Sequence, residues 1–245
     1  MTVLFGLFEF LCGTGYLQSN PCRVARVTSR KSRVKTVERY LDSDTWQTLL
    51  AHVDAWPRKT FRQIAHQERT RFVLSFLYLT GLRRSEFAAA STADIRLEQG
   101  RFWLRVKGKG DVVADVPLPA DALAALQRYR SSLGRSDMPA PEVREPLFMD
   151  VCGKGRHLTA AAVAHIITSA FESAANACSD LFQAQRLKAA SAHWLRHTAA
   201  THQIEAGVPL LVVRDNLRHA SVQTTERYLH QDRQVQHKET EKHRL

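Results

Sequence analysis

Apolar positions repeat at helical spacing along most of the chain and alternate in only one region. Leu4, Phe5, Phe8, Leu11 and Tyr16 predict a helix over residues 3–17, with a strong apolar face and nothing nearby to bury it against. Leu41, Asp42, Ser43 and Asp44 offer caps for a helix running to about Val53. A longer helix carries Phe72, Leu74, Phe76, Leu77 and Leu79 and ends at Gly81, where TGLRRSEFAAA reads as a sharp turn into a short helix. Between residues 94 and 118 the period changes. DIRLEQ, RFWLRVK and VVADVPLP alternate or are rich in β-formers, with Gly100 and GKG as turns. That pattern predicts a three-stranded antiparallel sheet with Lys109 at the tip of its second hairpin. Helices follow over Ala120–Ser132 and after Thr159. Residues 133–157 read as loop, and 179–191 fit no single pattern.

The stretch from His193 to Tyr228 reads as three short helices joined by tight turns. Gly207 is the expected stop of the first and Pro209 the expected first position of the second. The second helix would turn Leu210, Leu211, Val213 and Leu217 inward and deliver His219 at its end. His219 and Tyr228 are nine residues apart, which places them on opposite faces of a continuous helix. A break is therefore needed if both act at one site, and Ser221 is the expected N-cap of a third helix. The fold class predicted is mainly α with a small three-stranded antiparallel β-sheet (α+β).

Charge adds a partner to this outline. Lys and Arg number 35 against 24 Asp and Glu, a formal charge of +11, which points to nucleic acid or an anionic surface. Cations concentrate in NPCRVARVTSRKSRVKTVER, so residues 20–39 read as an extended basic linker, and the tail over 232–245 as polar and solvated. The four cysteines show no CxxC spacing and read as reduced thiols. With no apolar run near the ~18 residues of a membrane span, the expectation is a cytoplasmic protein without a membrane partner. No P-loop word occurs. His193 and His197 have helical metal-ligand spacing, but Trp194 stands where HExxH needs Glu. Neither a cofactor nor a metal is predicted.

The polar residues of the last stretch suit in-line displacement at a phosphodiester, which needs a nucleophile, a proton donor for the leaving oxygen, and cations against the non-bridging oxygens. Tyr228 is the candidate nucleophile. A phenol of pKa ~10 needs a neighbouring base and a positive field to react. His193 and Arg196, three apart, share a helical face. Arg83 and Arg196 could each supply a guanidinium fork, His193 could accept the tyrosine proton, and His219 could donate to the phosphate. Lys109 could protonate the leaving 5′ oxygen, with Lys107 the alternative. Taken singly, each has an ordinary reading as a cap, a solvated charge or a half-buried ring.

The order Arg83, Lys109, His193-x-x-Arg196, His219, Tyr228 resembles the catalytic set of the tyrosine recombinases, or phage integrase family. The words TGLRRSE, GKG followed by VPLP, HWLRHTAATHQIEAG and LRHASVQTTERYLH carry the resemblance across residues 40–231. It implies a catalytic domain over that range that cleaves and rejoins double-stranded DNA through a 3′-phosphotyrosyl link on Tyr228, without metal or nucleotide. It also implies self-association, as a dimer on DNA and a tetramer in synapsis. Glu86 and His197 would support the set from behind it, and Arg84, Lys107 and Arg218 would contact DNA, although Arg84 and Arg218 read equally well as solvated charges. Arg218 stands where the family usually has glycine before the second histidine. Residues 1–19 would be only the last helix of the core-binding domain that usually precedes the linker. The alternative expectation is therefore a truncated, non-recombining DNA-binding regulator.

Overall fold

A computed structural model describes residues 2–24, 39–108, 111–140, 143–151, 155–218 and 225. The chain divides into two compact units, Met1–Glu38 and Arg39–Leu245. In the first, α1 (Thr2–Gly13) is followed by the single turn α2 (Pro21–Val24). Asn20 joins them: its amide donates to Phe5 O and to Glu9 Oε1, and its Oδ1 accepts from the Cys22 amide. The predicted helix stops at Gly13 rather than residue 17, and the linker expected to be extended begins with a helical turn. Pro21 sets that turn, since a proline is preorganised for a first helical position. Within this unit, Val3, Leu4, Leu7 and Phe10 are exposed.

The second unit is helical around one small sheet. The helices are α3 (Ser43–Asp54), α4 (Phe61–Thr80), α5 (Arg84–Ala89), α6 (Ala120–Ser132), α7 (Ala160–Ala177), α8 (Leu181–Ala189), α9 (Trp194–Glu205) and α10 (Leu210–Leu217). Between α5 and α6 lie β1 (Ile95–Glu98), β2 (Arg101–Lys107) and β3 (Val113–Pro117), antiparallel in that order. Leu104 pairs with Ile95 on one side and Val116 on the other. Because side chains alternate along a strand, Leu104, Val106 and Val116 all face the core. The predicted mainly helical fold with a three-stranded sheet is the fold observed.

α4 is the central beam. Thr60 and Gln63 cap its start reciprocally, each side chain accepting from the other's amide. Phe72 stacks on Tyr129 of α6 at 4.5 Å and packs against Phe87 of α5. Sheet, α5 and α6 thus share one core with α4, and α9, with Leu195 and Ala199 buried, packs on the same helix. The Leu41 amide donates to Thr198 Oγ1 at 3.0 Å, tying the start of the unit to the middle of α9. α8 fills the stretch without a clear period. Its N-cap Asp180 accepts from the Phe182 and Gln183 amides, and it buries only Ala184 and Leu187.

Two details of α10 differ from expectation. Pro209 is the cap residue, and the helix starts at Leu210. Leu211, expected inside, is 56% exposed, whereas Val213 and Leu217 are fully buried. Those two sit four apart on one face, and at 100° per residue Leu211 falls on the opposite side from Val213. The expected third helix, capped by Ser221, lies outside the described residues except for Thr225, which is helical and buried.

Candidate active site

The site begins where α4 ends. Gly81 takes the left-handed conformation, φ 60° and ψ 20°, and its amide closes the helix onto Leu77 O. The reversal buries Leu82 and brings Arg83 out as the cap of α5. Three residues on, buried Glu86 turns back. Its Oε2 accepts from the Arg83 amide at 2.8 Å, and its Oε1 lies 2.7 Å from Arg83 Nη1. Burial pushes the Glu86 carboxyl up, but the Arg83 amide and the Arg218 and Arg83 guanidiniums outweigh it and hold the group below the ordinary carboxylate range.

α9 supplies the opposite wall. Trp194, Leu195, Thr198 and Ala199 bury one side of the helix, which leaves Arg196 at its inner edge and His193 at its exposed start. Arg196 is 7% exposed. Its Nη1 donates to Gly81 O at 2.5 Å and its Nη2 to Leu217 O. Both acceptors sit at helix ends, where carbonyls lack intrahelical partners and the helix dipole favours a cation. Arg83, Arg84, Ser85, His193 and Arg196 line one cleft of about 250 Å³. Partial desolvation, then the Arg196, Arg84 and Arg39 charges, hold the His193 imidazole below its ordinary pKa, which favours its neutral form. The His197 ring stands edge-on to that of His193 at 4.4 Å.

α10 and the hairpin complete the surroundings. Arg218, in the left-handed conformation at the end of α10, reaches back to Glu86 with Nη2 2.5 Å from Oε2. Its side chain is 13% exposed, with Nη2 on that carboxylate. From the other side, the β2–β3 connection approaches Glu86 so closely that a Cβ on Gly108 would lie 3.6 Å from Oε1. Lys107 is exposed and ion-paired with Asp111 at 3.0 Å. The fold therefore brings Arg83, Arg84, His193 and Arg196 to one cleft, with Glu86 paired to Arg83 and His197 against His193. Lys109, His219 and Tyr228 lie outside the described residues.

The whole second unit has counterparts. The model of the Phage integrase family matches residues 39–235. The chain belongs to the phage integrase family. Among its relatives is "Tyrosine recombinase XerC" of Pelobacter propionicus, 30% identical over 230 residues, with 94% of this chain and 67% of the relative covered. "Tyrosine recombinase XerD" of Chlorobaculum tepidum is 32% identical over 196 residues, covering 80% and 59%. The chain thus spans about three fifths to two thirds of these relatives' length. Two solved structures share its fold. The Tn1549 transposon integrase with circular intermediate DNA has TM-score 0.66 at 17% identity, covering 96% of this chain and 75% of that one. The XerH recombinase bound to its difH substrate has TM-score 0.59 at 24% identity, covering 82% and 53%.

Sequence reasoning missed the main-chain part of this site. The carbonyls of Gly81 and Leu217 hold Arg196, and no residue type announces a carbonyl acceptor. Arg39, assigned to the linker, adds to the field on His193. Ser85 in TGLRRSE lines the cleft unremarked. Among the described residues, no helix is long and apolar enough to cross a membrane.

Proposed function

We propose that this chain is a site-specific recombinase that cleaves and rejoins duplex DNA through a covalent 3′-phosphotyrosyl intermediate. The observation that carries the reading is the convergence of Arg83, Arg196 and His193 on one cleft, from elements far apart in sequence. Two guanidiniums fixed by a carboxylate and by carbonyls are preorganised for the charge that develops on a phosphate's non-bridging oxygens. Membership of the phage integrase family and the sequence order of Lys109, His219 and Tyr228 supply the remaining parts.

In the proposed step the Tyr228 oxygen bonds to phosphorus and the bond from phosphorus to the 5′ oxygen breaks. The phenol proton passes to His193, and the leaving 5′ oxygen takes a proton from Lys109. His219 donates a hydrogen bond to the phosphate. Rejoining runs the same steps backwards with an incoming 5′ hydroxyl. The phosphotyrosyl ester keeps the energy of the broken ester, so the exchange needs no nucleotide or metal.

The test is covalent trapping on a randomised duplex pool carrying nicks that let the short cleaved strand diffuse away, followed by denaturation in detergent. Wild-type protein is expected to retain DNA and Tyr228→Phe to retain none. Equal retention by both proteins would overturn the assignment of the nucleophile. Salt-dependent duplex binding with no adduct would point instead to a DNA-binding regulator.

A further inference from the structure

Glu86 is approached by two guanidiniums from different elements. Arg83 Nη1 lies on Oε1 at 2.7 Å, and Arg218 Nη2 lies on Oε2 at 2.5 Å, the oxygen that also accepts the Arg83 amide. One cation would neutralise this carboxylate, whose side chain is 1% exposed. The second cation therefore does something other than balance charge. It comes from a residue at φ 53° and ψ 47°, a backbone that favours glycine.

The placement of Arg218 has two consequences for the arginines of the cleft. With Oε2 occupied, Arg83 cannot close the two-pronged fork that a guanidinium otherwise makes with a carboxylate. It is held by one oxygen, and its Nη2 reaches Arg218 O at 3.4 Å. The same ion pair ties the end of α10 to the start of α5. That end carries two consecutive carbonyls, of Leu217 and Arg218, which accept from Arg196 and Arg83 respectively. The Arg218 side chain folds over this turn, with Nη1 donating to Asn216 O at 3.0 Å. Among the described residues its buried Nε has no hydrogen-bond partner, so satisfying its own donors does not explain the placement.

We infer that Arg218 is a positioning residue of the phosphate site: by occupying Glu86 Oε2 it keeps Arg83 turned to the cleft, and it fixes the carbonyls that seat Arg83 and Arg196. The inference rests on the recombinase reading above. Removing the side chain lets Glu86 draw Arg83 into a two-pronged pair and loosens the seat of Arg196. DNA approaches through many other cations, so the loss falls on the reacting geometry more than on affinity.

The experiment compares wild type with R218G, R218Q and R218K on the nicked duplex pool. R218G keeps the backbone conformation and removes the ion pair; R218Q keeps most of the length without the charge. Both are expected to form adduct about tenfold more slowly or worse, with duplex affinity within about twofold, because small misplacements penalise the chemical step most. R218K, which keeps a charge on Oε2, is expected to recover part of the rate. In the cycle with E86Q, the double variant should lose less than the sum of the two single losses, a non-additivity expected of residues in one network. Nitrogen-15 spectra of the arginine Nε–H groups give a second readout without DNA: the Arg83 and Arg196 resonances should shift in R218G and R218Q. Wild-type rates and unshifted resonances would overturn the inference. So would rate, affinity and melting temperature falling in proportion, which marks a mere brace. If wild type itself forms no adduct, the recombinase reading fails, and the resonances still decide whether Arg218 sets the arginines.

Discussion

A Cβ placed on Gly81 would stand 2.7 Å from Cδ2 of Leu217, closer than carbon atoms tolerate. The end of α4 and the end of α10 meet at that point, and Arg196 bonds to a carbonyl on each side of it. Gly81→Ala combines a left-handed backbone with this overlap. It is expected to destabilise the fold by roughly 2–4 kcal/mol, the sum of conformational strain and overpacking. Denaturant unfolding measures that loss, and the adduct rate should fall with it because the seat of Arg196 moves. A variant as stable as wild type would mean that Leu217 yields freely.

His193 predicts a pH dependence. Its pKa lies below 6.5 because of partial desolvation and the Arg196, Arg84 and Arg39 charges. A base works while neutral, so the adduct rate should hold steady as pH falls to 6.5 and drop only below it. Arg84→Gln removes one of those charges and should move the drop upward, toward 6.5. Proton NMR of the His193 ring against pH checks the assignment directly. An unmoved titration in Arg84→Gln would show that Arg84 does not act on this ring.

Glu86 predicts an acid limb of stability. Its folded pKa is depressed below 4.5, so its contribution is fully present above that value and is lost as pH falls through the folded pKa. Glu86→Gln leaves two guanidiniums without their anion and is expected to cost about 3 kcal/mol at neutral pH. The gap between variant and wild type should close as the pH drops below 4.5. Parallel stability curves at all pH values would refute the ionised pairing.

Thr198→Val tests the tie between Leu41 and α9. The Leu41 amide donates to this fully buried hydroxyl, and the substitution keeps the volume while stranding the donor. A loss of about 1–3 kcal/mol is expected, the usual penalty for a buried unpaired amide. Hydrogen exchange at the Leu41 amide should accelerate in the same variant.

The order of α3, α4, α6, α7 and α9, and of the three strands, was legible from caps, helical or alternating spacing, and the glycines at the turns. Gly81 was legible as a stop because few other residues take its backbone angle. α8 was not, since a helix that buries only Ala184 and Leu187 has almost no periodicity to read. Leu211 misled for the converse reason: an apolar residue on a short helix is not thereby inside. At the site, Arg83, His193 and Arg196 could be picked out by type and spacing. What seats them could not, because peptide carbonyls look the same at every position and the Arg218–Glu86 pair joins residues 132 apart in sequence.

The peptide oxygens that hold Arg196 and Arg83 have a consequence for how this protein can change over generations. A side-chain acceptor disappears with one codon, whereas a backbone acceptor survives every substitution that leaves the helix end where it is. Exposed positions of α10 such as Leu211 and Val212 are thus open to drift without touching the cleft. Insertions and deletions are not tolerated in the same way. One residue added to α10 would rotate its last carbonyls by about 100° and carry both acceptors away from their arginines. What inheritance must preserve at this site is a length as much as a set of letters.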